Sequence, residues 1–230
     1  MQIGTNLGVT NFQKDIEELK DKTDFIELYL PKIEDVSNII PYKDYIKAVH
    51  LPDLNNSIHE ALEITNNLEA NIAVVHFFTH PQGDFSTKIQ TLKILSAKAQ
   101  EYGIQLCLEN TAENIRLMEI LFEQVPSLWF CLDIGHANLW NNNPVDFIDA
   151  FSQRLCHIHI HDNNGGFSED SDLHLAPGEG NIDFPAIFSA LDSIKYSEFI
   201  TFERVPWDDN QRIISVIDNI RKMIRDLHNR

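Results

Sequence analysis

Three histidines alternate with isoleucine in the stretch His157-Ile158-His159-Ile160-His161-Asp162. Alternation is the period of a β-strand, so the imidazoles share one face and the isoleucines the other. A face of imidazoles suits a strand that ends at a metal site, because neutral imidazole is the commonest protein metal ligand. Further candidate ligands are scattered along the chain: His50, His76, Glu109, Asp133 and Glu203. His136 follows Asp133 by three residues and can turn back over the same place. Asp172 and His174 form an Asp-x-His pair, both able to face one ion. A mixed histidine and carboxylate set suits Zn²⁺, Mn²⁺, Fe²⁺ or Co²⁺ better than Ca²⁺.

These residues need a scaffold that brings them together, and the periodicity supplies one. Strand patterns fall at Gln2–Leu7, Phe25–Leu30, Tyr45–His50, Ile72–Phe77, Ile104–Glu109, Leu128–Asp133, Leu155–His161 and Phe199–Glu203. Helical patterns separate them at Asn11–Lys20, Ser57–Glu69, Ser86–Tyr102, Ala112–Gln124, Pro185–Leu191 and Asp209–Asp226, with a weaker one at Ile33–Ile40. A further helical region, Ala137–Phe151, is broken at Asn141-Asn142-Asn143-Pro144. This alternation predicts an α/β fold, a single (β/α)8 TIM barrel over residues 1–230 as one domain, with a doubly wound sheet as the alternative. Such barrels carry their sites at the C-terminal ends of the strands. The third to eighth predicted strands all carry a possible ligand at or near that end: His50, His76, Glu109, Asp133, His159 and Glu203. Cys107 shares a face with Glu109, Cys131 with Asp133, and Thr201 with Glu203. The smaller members should fill the layer below while the acids face the mouth.

The 230 residues are 43% hydrophobic, enough for one sizeable core. No apolar run reaches the roughly 18–20 residues of a membrane span. The N-terminus runs straight into a strand pattern without a signal-peptide core, so the expectation is a cytoplasmic protein with no membrane partner. Cys107, Cys131 and Cys156 are an odd number without close spacing and read as buried free thiols. The formal charge of −17 disfavours nucleic acid, since phosphate neutralisation needs Lys and Arg. Three bound divalent ions would still leave the chain acidic. The expected partner is a small molecule, and a homo-oligomer is left open.

Six stretches together carry a resemblance. Leu108-Glu109-Asn110-Thr111-Ala112, Cys131-Leu132-Asp133-Ile134-Gly135-His136-Ala137, His159-Ile160-His161-Asp162, Asp172-Leu173-His174, Gly178-Glu179-Gly180-Asn181-Ile182 and Thr201-Phe202-Glu203 resemble the motifs of the xylose isomerase-like TIM barrels. That superfamily holds sugar (phosphate) isomerases and epimerases and the endonuclease IV family. The resemblance implies a shared metal site at Glu109, Asp133, His159 and Glu203. It makes His159 the ligand among the three histidines, His157 a core residue one layer down, and His161 a contact to ligand or substrate. For the epimerases it implies one divalent ion, Zn or Mn foremost. Glu109 and Glu203 would then move a proton through a metal-stabilised enediolate of a sugar or sugar phosphate. For the endonuclease IV family it implies up to three zinc ions, with His50, His76, His136, Asp172 and His174 as the added ligands, and phosphodiester hydrolysis at abasic sites. Short acidic loops such as Ser168-Glu169-Asp170-Ser171-Asp172 favour the isomerase over the nuclease. Dehydratase or multi-metal oxidase chemistry and a non-catalytic metal-binding barrel are further alternatives.

Lesser signals complete the reading. Glu27, His136, His161 and Trp140 are candidate substrate contacts, Glu27 through a sugar hydroxyl, although a buried or rim acid paired with lysine explains Glu27 equally well. Phe77, Phe78, Phe167 and Trp207 are further aromatic residues near the mouth. Gly165-Gly166 and Gly178-Glu179-Gly180 follow the seventh strand, where barrels often bind phosphate, although tight turns explain such glycines too. Arg204, next to Glu203, should point outward by alternation.

Overall fold

A computed structural model describes all residues except 55–56, 78–83, 141, 206–208 and 229–230, and the side chains of Glu169 and His228. Eight parallel strands close into a barrel in chain order: β1 (Gln2–Gly8), β2 (Ile26–Tyr29), β3 (Ile46–His50), β4 (Ile72–Val75), β5 (Gln105–Glu109), β6 (Trp129–Asp133), β7 (Leu155–Ile160) and β8 (Phe199–Phe202). The last pairing, β8 with β1, sets Phe202 beside Thr5 and closes the ring. The helices are α1 (Phe12–Leu19), α2 (Ile58–Asn67), α3 (Phe85–Tyr102), α4 (Ile115–Gln124), α5 (Ile134–Leu139), α6 (Pro144–Phe151), α7 (Phe184–Ser193) and α8 (Asn210–His228).

The main core lies between the barrel and the helices. On α8, Ile213, Ile217 and Ile220 fall at helical spacing and are fully buried. Each such side chain contributes about 1.5–3 kcal/mol. A second, smaller cluster plugs the lower barrel with Ala48, Ile72, Val74, Cys107, Cys131 and Cys156. The cysteines are buried and unbridged, as the spacing suggested.

The expected helix over Ile33–Ile40 is absent. A 3-10 helix at Ile40–Tyr45 stands between β2 and β3 instead. Pro41 disfavours α-helical backbone at Ile40, the last residue of the expected helix, and residues 33–36 form no regular element before a turn at 37–39. Pro41 sits instead at the start of the short helix, where its missing N–H costs nothing. The broken region after β6 resolves into α5 and α6, and Asn143 caps α6 by accepting the Val145 N–H at 3.1 Å. No described helix is long and apolar enough to cross a membrane.

Candidate metal and substrate site

Strand ends deliver the ligand candidates to one mouth. His50 and Glu109 are the last residues of β3 and β5, and Asp133 is the last of β6. His76 and Glu203 stand one residue beyond β4 and β8, and His159 lies within β7. The β7–α7 loop returns Asp172 and His174 over the same opening, His174 with a left-handed backbone at φ 44°. All nine predicted ligands converge.

They form adjoining groups. His50, Glu109, His159 and Glu203 make one, and His136, His161, Asp172 and His174 another, each with its ligand atoms within 4.8 Å of one another. Asp133 lies between them, grouped with Glu109 and His136 and with His161 and Glu203. In the first group, the Nδ1 of His159 stands 3.1 Å from Glu203 and 3.3 Å from Glu109. The Nε2 atoms of His50 and His76 stand 3.2 and 2.9 Å from Glu109 Oε2. In the second, His136 Nε2 and His174 Nε2 lie 3.3 and 3.1 Å from Asp172 Oδ2, and His161 stacks on His174 at 4.1 Å.

The donor set fits a divalent ion. Glu109 Oε1, Asp133 Oδ2, His159 Nδ1, Asp172 Oδ1 and His174 Nδ1 are buried, close together, and without a hydrogen-bond partner. Buried polar atoms are normally satisfied. These residues belong to groups whose candidate ligand atoms lie within 4.8 Å of one another, close enough to share an ion. Their neighbours fix them there. Asp133 Oδ1 caps α5 by accepting the His136 N–H at 2.6 Å, which leaves Oδ2 for the mouth. Asn110 locks the backbone of Asp133 with two hydrogen bonds of 2.9 Å. Ring placement favours His50 Nδ1–H to the Leu51 carbonyl and His136 Nδ1–H to the Asn110 carbonyl, leaving each Nε2 for an ion.

Electrostatics follow from this crowding. Burial works against charge on His159 and His136, yet both are held well above the ordinary histidine value by surrounding groups. The charges of Glu27, Glu109 and Glu203 act on His159, and Asp133, Asp172 and Glu109 act on His136. Burial also opposes charge on Glu109, but His159 and His76 hold it well below the ordinary carboxylate range.

Three substrate-contact expectations change. Glu27 is fully buried beneath the mouth and is not among the cavity-lining residues. Its Oε2 accepts from His157 at 2.6 Å, Thr201 at 2.9 Å and His159 at 3.2 Å, so it orients His159 from below. His157 is thereby the core histidine expected one layer down. His161 is also fully buried, with Nε2 3.0 Å from Asp133, so it belongs with the ligand groups rather than the cavity wall. Trp140 follows the last residue of α5 and is not among the cavity-lining residues, whereas His136 is. Phe77 is buried against Phe85, Phe167 is 72% exposed, and Phe78 and Trp207 lie outside the described residues.

A cavity of about 780 Å³ opens above the ligands. His50, His76, Glu109, His136, His174 and Glu203 form its floor, and Tyr29, Asn6, Asp15, Arg204 and Asn210 stand in its wall. Arg204 is a correction: it faces the cavity, because β8 ends at Phe202 and alternation no longer governs the next residues. Its N–H donates to Asn6 at 3.0 Å and its guanidinium to Asp15 at 3.0 Å. Sequence reasoning missed Asn110, Tyr29, Asp15 and Asn210. Adjacency to Glu109 was the available signal for Asn110, and none marked the others.

The sequence profile of the xylose isomerase-like TIM barrel family matches residues 54–223, and the chain belongs to that family. Among curated proteins it is 29% identical over 198 residues to MJ1614 of Methanocaldococcus jannaschii, covering 82% of this chain and 74% of that one. It spans 55% and 39% of the lengths of two further curated relatives. Among solved structures, a D-tagatose 3-epimerase-like protein superposes with a TM-score of 0.78 at 24% identity, covering 98% of this chain and 99% of that one. The IolI protein with a bound zinc atom superposes at 0.73 and 20% identity, covering 99% and 98%. These likenesses establish the shared fold.

Proposed function

We propose that this chain is a divalent-metal-dependent isomerase or epimerase of a small polyhydroxylated carbonyl compound, a sugar or a close relative. One observation carries the reading: two carboxylates, Glu109 and Glu203, flank His159 Nδ1 at the floor of a sugar-sized cavity. Family membership supports it, as does the fold shared with a D-tagatose 3-epimerase-like protein.

Glu109, Asp133, His159 and Glu203 would hold the ion, with His50 and His76 beside Glu109. A bound divalent ion supplies charge stabilisation for a carbonyl whose neighbouring carbon loses its proton. Burial opposes the charge of Glu203, but His159 outweighs it and brings the carboxyl down to about 2. In an isomerisation one glutamate, as a carboxylate, would take the proton from the carbon beside the carbonyl and return it to the neighbouring carbon; in an epimerisation the other glutamate would start protonated and deliver its proton from the opposite face. Proton transfer by a positioned side chain is worth roughly 10²–10⁴ in rate. Glu27 holds His159 in place, and His136 contacts substrate at the rim.

The test is turnover and solvent-deuterium incorporation with a panel of ketoses and aldoses, after loading with Mn²⁺, Zn²⁺ or Co²⁺. Glu109→Gln should lower exchange by about a hundredfold or more while the circular dichroism spectrum is kept. Unchanged exchange in that variant, or a protein that holds no metal and is not activated by any, overturns the proposal.

The second ligand group favours one other reading, a multi-metal phosphodiesterase. Under it, metal content is two or three ions per chain, falls in Asp172→Ala or His174→Ala, and accompanies cleavage of an abasic-site DNA duplex. The acidic charge of −17 weighs against a DNA substrate.

A further inference from the structure

Among the described residues, the backbone N–H groups after the seventh strand and at the next helix starts are taken by the chain's own carboxylates. Phosphate-binding TIM barrels use backbone N–H groups of the loops after the seventh and eighth strands and a nearby helix N-terminus. Here Asp162 occupies that place after β7. It is fully buried and accepts the backbone N–H groups of Asn163 at 2.8 Å, Gly178 at 2.9 Å, Gly180 at 2.8 Å and Ile182 at 3.3 Å. The glycines serve this fit. Gly178 has φ +95°, and a Cβ at Gly180 would overlap the Asp162 carboxylate. The neighbouring helix ends are taken too. Asp183 caps α7 through the Ala186 N–H at 3.1 Å, and Asp209 accepts the Arg212 N–H at 2.8 Å at the start of α8.

The cavity wall repeats the pattern. Arg204 lies there beside Glu203, where a phosphate could be gripped. Its guanidinium instead lies 3.0 Å from Asp15, both side chains 13% exposed. Asn210 donates to the same Asp15 at 3.3 Å and to Glu18 at 3.0 Å. Lys14 stands exposed at the rim, with Asp15 and Glu18 lining the same wall. A dianion would meet acceptors already charged and a guanidinium already paired, with Lys14 at the exposed rim as the other lysine or arginine among the described lining residues. Hydroxyl groups, which donate and accept, match the carboxylate and amide oxygens and the Arg204 N–H groups.

We propose that the compound bound in this cavity carries no phosphate: it is a free polyhydroxylated carbonyl compound, and the Asp15–Arg204 pair is the element that selects it over its phosphate ester. The inference rests on the sugar-enzyme reading above and names its substrate class. Asp15 and Arg204 act as specificity-determining residues in the cavity wall; Arg204 is next to Glu203 in the chain, and neither is itself among the candidate metal ligands.

Calorimetric titration of the metal-loaded protein tests this with matched pairs: D-fructose and its 6-phosphate, D-ribulose and its 5-phosphate, D-xylulose and its 5-phosphate. The best free sugar should bind at least about tenfold more tightly than its ester, as expected when a charged group meets no free partner. Asp15→Asn releases Arg204 without touching a metal ligand. It should shift the ratio toward the ester by about tenfold, with metal content unchanged. Arg204→Met should weaken the free sugar and give the ester no gain. Preference of the wild type for an ester, or an unshifted ratio in Asp15→Asn, overturns this inference and leaves the isomerase reading standing. Failure of both members of every pair to bind, together with no turnover of any sugar, overturns both.

Discussion

At the scale of residues, protons would compete with a metal ion for the same side chains. Burial disfavours a charged His174, yet the Asp172 hydrogen bond and the charge of Glu203 push it up from 6.5 to about 9. A raised histidine contributes stability to the metal-free protein below its ordinary pKa, and that contribution is lost as pH rises through about 9. Glu203 has the opposite sign. Lowered to about 2, it contributes above the ordinary carboxylate range and the gain is lost as pH falls toward 2. An incoming ion must displace the histidine protons, so metal affinity should rise with pH up to about 9, with proton release on binding. Zinc titrations in two buffers of different ionisation enthalpy measure that release. A net release of zero would contradict the arrangement.

At the scale of elements, loops and helix starts decide the geometry. α5 begins directly at the end of β6, so Asp133 serves as helix cap with one oxygen and faces the mouth with the other. Gly135, in the first turn of α5, lies under the ring of His161, and a Cβ there would overlap that ring. Gly135→Ala should therefore cost about 1–3 kcal/mol by overpacking and displace His161 from the second ligand group. Thermal unfolding and metal content of the purified variant check both outcomes. A variant with unchanged metal content and unchanged unfolding would show that α5 can move aside without consequence.

For the whole molecule, a closed barrel gathers buried carboxylates that an ordinary core would reject. Glu109, Asp133 and Glu203 at the mouth and Glu27 beneath it are all at or below 7% exposure. An ion that binds only the folded chain stabilises it by about 4 kcal/mol at a thousandfold excess over its dissociation constant. For a chain of this size each kcal/mol moves the midpoint by roughly 2–4 °C. Chelation should thus lower Tm by about ten degrees, and readdition of the metal should restore it. A Tm indifferent to chelator would mean that histidine protonation alone compensates these charges.

The barrel was legible because two periods write it: alternation in the strands and three-to-four spacing in the helices, each forced by which face meets the core. The convergence of the candidate ligands at the mouth was legible for the same reason, since a strand end in a barrel has one fixed place. His50, Glu109 and Asp133 needed nothing beyond that rule. Residues outside regular elements were not. Arg204 turns inward because β8 has ended and Asn6 captures its N–H, a contact between opposite ends of the chain. Glu27 had the inward parity expected of it, but its depth depends on the barrel's stagger, which no single strand encodes. The glycines after β7 fitted a phosphate loop or tight turns equally well in sequence, and only the fold shows Gly178 and Gly180 wrapped around Asp162. The His157–His161 strand divides the same way. Sequence placed three imidazoles on one face. Tertiary structure gave each its neighbour, Glu27 for His157, Glu109 and Glu203 for His159, and Asp133 for His161, because contacts across a barrel depend on strands far apart in the chain.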